Sequence, residues 1–73
     1  MGRSSSLSGP DICLILYDQG FVEVRRWGSH VVMQKRASGS TITVPVPMHV
    51  RLKRGTLASV IRQSGLPRAL FEG

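Results

Sequence analysis

Two residue types suited to proton transfer and phosphate binding lie close together near the middle of the chain. His30 follows Gly28 and Ser29, and Arg25 precedes this tripeptide. Imidazole titrates near neutral pH, so it can act as a general base or acid, worth roughly 10²–10⁴-fold in rate. A nearby guanidinium can stabilise the charge that develops on phosphate oxygens. This pairing would suit cleavage of RNA, which supplies its own 2′-hydroxyl nucleophile. The alternative is a surface histidine that forms a hydrogen bond in a turn.

The second histidine, His49, lies in a basic segment after Pro47. Cleavage with an acid and a base on opposite sides of the phosphate uses two titrating groups, and His49 is a candidate for the second. A simple phosphate contact is an equal alternative, and a solvated loop histidine is a third. The sequence alone does not bring the two histidines together.

A cluster of cations precedes the second predicted helix. Arg51, Lys53 and Arg54 come directly before Gly55. Free N–H groups and the positive end of the helix dipole favour an anion there, and glycine permits close approach of a phosphate. We therefore predict phosphate contacts for Lys53 and Arg54, against the alternative of a solvated charge run. We also predict RNA contacts for four residues earlier in the chain, with Arg36 as a further candidate. The four are Arg25, Arg26, Ser29 and Lys35.

The only tryptophan, Trp27, lies next to the Gly28-Ser29-His30 tripeptide. Its ring has two interpretations. It can stack on an unpaired base, or it can be half-buried packing at the end of a strand, which is the interpretation that we favour from the sequence.

The charge distribution indicates a polyanionic partner. The net charge is +6, and between Val24 and Phe71 there is no acidic residue, although nine of the ten lysines and arginines lie there. Such a stretch favours RNA, and an acidic partner protein is the alternative. The single cysteine, Cys13, lies among apolar residues and is predicted to be a buried small hydrophobe. No metal-ligand cluster, cofactor motif, signal peptide or membrane span is recognisable, so we expect a cytoplasmic protein without cofactor.

Apolar periodicity predicts two helices and three strands. The first helix is expected over residues 10–19, with Ser8 or Gly9 near its cap and Gly20 as its stop. Strands are expected over 21–27, 30–35 and 41–46. The first has Val22 and Val24 on one side and Glu23 and Arg25 on the other, and the third has Ile42, Val44 and Val46 on one side and Thr41 and Thr43 on the other. A helix opened by Gly55-Thr56, with Thr56 as its cap, runs to Gly65, and a short turn follows from Pro67 to Phe71.

This order predicts one small α+β domain, α-β-β-β-α, with a three-stranded antiparallel sheet. Both helices must cover one face of the sheet to bury their apolar stripes, which leaves the other face open. That is the layout of the double-stranded-RNA-binding-domain-like fold. With Val31 and Met33 directed at the helices, His30 would lie on the open face, where Arg25 would join it. Residues 1–8 are expected to be a flexible lead-in, and residues 9–73 the domain.

Several motifs together resemble the HicA family of type II toxins. They are Gly20-Phe21, Arg25, Gly28-Ser29-His30, Thr43-Val44-Pro45, Pro47, His49, Leu52, Gly55-Thr56-Leu57 and Ile61-Arg62-Gln63-Ser64-Gly65-Leu66. The resemblance spans about residues 8–71 and implies the fold named above. It also implies metal-independent cleavage of messenger RNA, catalysis by His30, and inhibition by a HicB-like antitoxin. Trp27, Met48, Val50 and Arg51 depart from what is common in the family.

Three functions therefore compete. The first is an endoribonuclease toxin that uses His30, the second is a domain that binds RNA without cutting it, and the third is a protein that docks an acidic partner. The expected position of His30 beside an arginine on an open face favours the first.

Overall fold

The computed structural model describes residues 7–72. Two α-helices, three β-strands and a 3₁₀ turn follow one another in the order α1, β1, β2, β3, α2 and 3₁₀ turn. Their bounds are α1 Gly9–Asp18, β1 Val22–Trp27, β2 His30–Ala37, β3 Ser40–Pro47, α2 Arg54–Ser64 and the 3₁₀ turn Arg68–Phe71. The predicted order of elements is confirmed, and β2 and β3 extend slightly beyond their expected ends.

Helix α1 begins with a capping box. The Ser8 hydroxyl accepts a hydrogen bond from the Asp11 backbone N–H at 3.1 Å, and the Asp11 carboxylate accepts one from the Ser8 N–H at 3.0 Å. These two bonds satisfy N–H groups that a helix start leaves free. The hydrogen bond from the Ser8 backbone N–H, followed by a contribution from the Ser8 side chain, lowers the pKa of the Asp11 carboxyl. Of the two candidates that the sequence offered, Ser8 and Gly9, Ser8 is therefore the cap.

The predicted lead-in, residues 1–8, only partly falls within the structure. Residues 1–6 lie outside the described residues. Leu7 and Ser8 are bound to the domain, because the Leu7 carbonyl accepts a hydrogen bond from the Leu52 N–H at 2.9 Å and Ser8 caps α1.

The strands form an antiparallel sheet in the order β1-β2-β3. A two-residue turn, Gly28-Ser29, joins β1 to β2. Gly28 has a φ of 58° and Ser29 does not have a positive φ, which is typical of a type II′ hairpin turn. A residue with a β-carbon would be strained at position 28. The turn therefore fixes which residue begins β2, and that residue is His30.

The alternation predicted for β1 holds from Val22 to Val24 and fails at Arg25, because the strand contains a bulge. Glu23 pairs with Met33, but Arg25 pairs with the next residue of β2, Val32, so Val24 has no partner between them. A bulge of this kind shifts the following side chains to the other face. Val22 and Val24 share the face away from the helices and are half exposed, and Glu23 lies on the face toward the helices. Arg25, predicted on the side of Glu23, lies on the same face as Val24 instead.

Helix α2 starts differently from the prediction. Lys53 is its N-cap residue, without a side-chain cap, and Thr56 lies inside the helix. Gly65 ends α2 in the left-handed conformation, as expected. The predicted turn after Pro67 is the 3₁₀ turn, and it inserts Phe71 into the core.

All the fully buried side chains pack between the helices and one face of the sheet. The core residues are Ile12, Leu16, Phe21, Val31, Met33, Val44, Val46, Leu52, Leu57, Val60, Ile61 and Phe71. We call this side of the sheet the helix side and the opposite side the open face. Two helices on one face of an antiparallel sheet confirm the predicted double-stranded-RNA-binding-domain-like layout. Over residues 7–72, no helix has the length and apolar character needed to cross a bilayer.

Candidate active site

His30 is the first residue of β2 and lies on the open face. Its strand neighbours Val31 and Met33 are buried on the helix side, and side chains alternate along a strand. His30 is partly exposed, and its backbone partners are Trp27 on β1 and Pro47 on β3. The imidazole is therefore accessible, at the end of the sheet where β1 and β3 finish.

The Trp27 indole stacks beside the His30 ring. The two ring centroids are 6.0 Å apart with an interplanar angle of 29°. The Trp27 side chain is nonetheless 63% exposed. The interpretation of Trp27 as half-buried packing is therefore wrong, and most of its ring faces solvent.

Backbone hydrogen bonds bring three distant segments to the end of the sheet that holds His30. The Met48 N–H donates to the Ser29 carbonyl at 2.6 Å, directly beside the hairpin turn. The His49 carbonyl accepts from the Gly9 N–H at 2.9 Å, which ties it to the start of α1. The Leu52 N–H donates to the carbonyl of Leu7, which lies two residues before Gly9. The turn, His49 and the basic connector consequently share one end of the molecule, which we call the catalytic end because it holds the candidate catalytic residues.

The start of α2 adds positive charge at this end. Lys53 and Arg54 are exposed, and the first turn of the helix carries no acidic residue. A β-carbon built on Gly55 would meet nothing within 4 Å, so the backbone there is open to a ligand. The free N–H groups of a helix start and two cations make this a suitable place for a phosphate.

Arg25 lies on the open face with His30, as the sequence predicted. Its backbone partner is Val32, which alternates with the buried residues of β2. Beside it is a shallow depression, in which the Gln34 amide donates to the Thr43 hydroxyl at 3.2 Å. Sequence reasoning did not single out Gln34 and Thr43, although their alternation with buried residues indicated the open face. The depression is lined by Val24, Arg25, Val32, Gln34 and Thr43.

Two of the predicted RNA-binding residues lie away from His30. Arg26 pairs with Val31 on the helix side and forms a 3.4 Å ion pair with Glu23. Lys35 extends over the Phe21 ring, with its ammonium 5.8 Å from the ring centroid. At about 3.3 Å per residue, Lys35 is roughly 16 Å along β2 from His30. The structure thus groups Arg25, Ser29, Lys53 and Arg54 with His30 at or near the catalytic end, and it separates Arg26 and Lys35 from them.

Cys13 is partly buried, and burial raises the pKa of its thiol, with a further contribution from the Glu23 carboxylate. A thiol of this kind is mostly protonated at neutral pH and is a poor nucleophile. Among residues 7–72, no three histidine, cysteine or acidic side chains are grouped as a metal site would require.

Comparison with known proteins gives one family. The family model described as the HicA toxin of bacterial toxin–antitoxin systems matches residues 9–66 of the 73-residue chain. A search of curated proteins gives no match.

Proposed function

Because the chain belongs to the HicA toxin family of bacterial toxin–antitoxin systems, we propose that it is an endoribonuclease that cleaves messenger RNA with His30. The observation that supports this proposal most strongly is the position of His30. An accessible imidazole lies on an open sheet face, at the end where the cations of α2 and its connector collect. A long polymer can lie across such a surface without entering a pocket.

The proposed reaction uses the 2′-hydroxyl of the substrate as nucleophile. The 2′-oxygen attacks the adjacent phosphorus, the bond from phosphorus to the 5′-oxygen breaks, and the products are a 2′,3′-cyclic phosphate and a free 5′-hydroxyl. One proton leaves the 2′-oxygen and one is delivered to the 5′-oxygen. His30 carries one of these transfers. His49, at the same end of the molecule, is our candidate for the other or for a phosphate contact.

The cations and the hairpin turn supply binding and charge stabilisation. Arg25 shares the open face with His30 and is our candidate for stabilising the oxygens of the reacting phosphate. Lys53 and Arg54 bind neighbouring phosphates at the start of α2. The reaction needs no metal in this proposal, because the nucleophile belongs to RNA and histidine moves the protons.

A toxin of this family acts together with an antitoxin. We propose that a HicB-like antitoxin inhibits the chain by covering His30. The exposed cations of the catalytic end support this proposal, since they favour contact with an acidic protein surface as well as with RNA.

The test is cleavage of RNA by the purified chain in the presence of a chelator. We expect the wild type to cut an RNA oligonucleotide, and we expect His30→Ala to be slower by at least about 100-fold with unchanged thermal unfolding. The wild type should not cut the same sequence made with 2′-O-methyl groups, because the nucleophile is blocked. RNA binding without product in the wild type would instead support a non-catalytic RNA-binding domain, and equal cleavage by His30→Ala would refute the role of His30.

A further inference from the structure

The open face carries an exposed aromatic ring that the cleavage chemistry does not use. Trp27 lies at the end of β1 with 63% of its side chain accessible, directly beside His30. A tryptophan that served only the core would bury its large apolar surface. The core of this protein lies on the other side of the sheet and consists of other side chains. The position of Trp27 therefore indicates a ligand that stacks on the exposed face of its indole ring.

We propose that Trp27 stacks on an unpaired nucleobase of the substrate, next to the phosphate at which His30 transfers a proton. This inference rests on the proposed ribonuclease function and adds the form of the substrate, a single strand with a base free to stack. Aromatic side chains on a sheet surface bind single-stranded RNA in this way, since every base offers a π face. With the two ring centroids 6.0 Å apart, one nucleotide can place its base on Trp27 and its phosphate against His30.

The structure favours a single strand over a duplex for two reasons. Bases inside a duplex are stacked on both sides, so they present no free face to Trp27. A duplex is also a broad anionic surface that needs a broad cationic one, whereas α1 carries the exposed acidic residues Asp11 and Asp18. The cations of the open face lie in a narrow strip, with Arg25 near Trp27 and Arg36 farther along β2, and the connector into α2 adds cations at the end that holds His30. They suit a narrow strand.

Because Trp27 is the only tryptophan, its fluorescence reports directly on a stacked base. The experiment titrates the wild-type chain with a single-stranded 2′-O-methyl oligonucleotide, which the proposed reaction cannot cut, and with the corresponding blunt duplex. We expect strong quenching by the single strand and weak quenching by the duplex. Binding is measured in parallel by the anisotropy of a dye on the oligonucleotide.

The matched variants are Trp27→Ala and Tyr17→Ala. Tyr17 is an equally exposed aromatic residue, at 65%, but it lies on α1. Loss of one stacked base should weaken binding of the single strand by about 5- to 150-fold in Trp27→Ala. Tyr17→Ala should bind like the wild type. With cleavable RNA, Trp27→Ala should raise KM more than it lowers kcat.

Other results would overturn the inference. Wild-type affinity in Trp27→Ala with a reduced kcat would mean that the indole only positions His30. Binding by anisotropy without quenching would mean that the base lies elsewhere, and a preference for the duplex would contradict the single-stranded substrate. Each of these results leaves the proposed ribonuclease function intact if the wild type still cuts RNA. Quenching without any cleavage of ordinary RNA would support the stacking site and refute the proposed ribonuclease function.

Discussion

His30 and the cations at the start of α2 have separate roles in the proposed chemistry. The imidazole moves a proton at one phosphate, whereas Lys53 and Arg54 hold phosphates through charge. The dependence of binding on salt distinguishes these two roles, because each phosphate contact releases counterions from the RNA. A catalytic histidine affects the rate and leaves this salt dependence nearly unchanged.

Charge reversal at Lys53 and Arg54 should weaken RNA binding. We expect the double variant K53E/R54E to bind a single-stranded oligonucleotide about 10- to 100-fold less tightly at low salt, as for lost hydrogen bonds to a charged group. The slope of log affinity against log salt should become shallower by about 1.4, at about 0.7 for each lost phosphate contact with a single strand.

The matched control is R62E/R68E, which changes the net charge by the same amount. Arg62 and Arg68 are exposed in the last turn of α2 and in the 3₁₀ turn. This control should keep most of the affinity and the salt slope. Equal losses in the two double variants would show that only net charge matters and would refute a phosphate site at the start of α2.

At the scale of elements, close packing between α1 and the end of β3 shapes the catalytic end. A β-carbon on Gly9 would overlap the Pro47 carbonyl oxygen and would lie 2.7 Å from the Met48 α-carbon. The Gly9 N–H also donates to the His49 carbonyl. Glycine at this position lets the helix start approach the strand closely enough for that bond to form.

The variant Gly9→Ala should destabilise the protein and disturb the catalytic end. We expect a loss of about 1–3 kcal/mol in the free energy of unfolding, the usual cost of overpacking, together with slower RNA cleavage. Urea denaturation followed by circular dichroism measures the first effect. The control is Gly55→Ala, which also lies in the first turn of a helix but whose β-carbon would meet nothing. It should be neutral or stabilising by up to about 1 kcal/mol, and equal destabilisation of both variants would contradict the packing argument.

Sequence patterns predicted the elements well and the local irregularities poorly. The alternation of Val44 and Val46 with polar or exposed neighbours depends only on the strand itself, so it predicted the covered side correctly. The bulge at Val24 depends on how β1 pairs with β2, which no pattern within β1 reveals. The alternation within β1 therefore failed at Arg25, which lies on the opposite face from Glu23.

The candidate site was predicted in part, because some of its residues follow strand alternation and others do not. His30 was expected on the open face from the alternation of β2, and the structure agrees. Arg25 also lies on the open face as expected, but the bulge in β1 places it there and not regular alternation. The exposure of Trp27 was missed, since it depends on the helices leaving that face of the sheet uncovered, which no pattern within β1 shows. The separation of Arg26 and Lys35 from His30 was also missed, because these cations were assigned to RNA binding from charge alone. Strand alternation places Arg26 on the opposite side from Arg25 and Lys35 on the side of Met33.

At the scale of the molecule, shape and charge distribution agree with a polymer as substrate. The principal extents are 38 × 27 × 19 Å, so the protein is a thin layer of helices on a sheet. A body of this thickness offers a surface instead of an enclosed site. Asp11, Asp18 and Glu23 lie on α1 and the helix side of β1, while His30 and Trp27 lie on the open face. This separation leaves the proposed RNA surface free of these carboxylates.

The most direct test of the central claim is RNA integrity and growth after induced expression in a host without antitoxin. We expect the wild type to degrade transcripts and stop growth, and we expect a His30→Ala variant, present at the same level and with the same melting temperature, to do neither. Wild-type behaviour of His30→Ala would contradict the account, because RNA degradation and toxicity would then not depend on the imidazole at the start of β2.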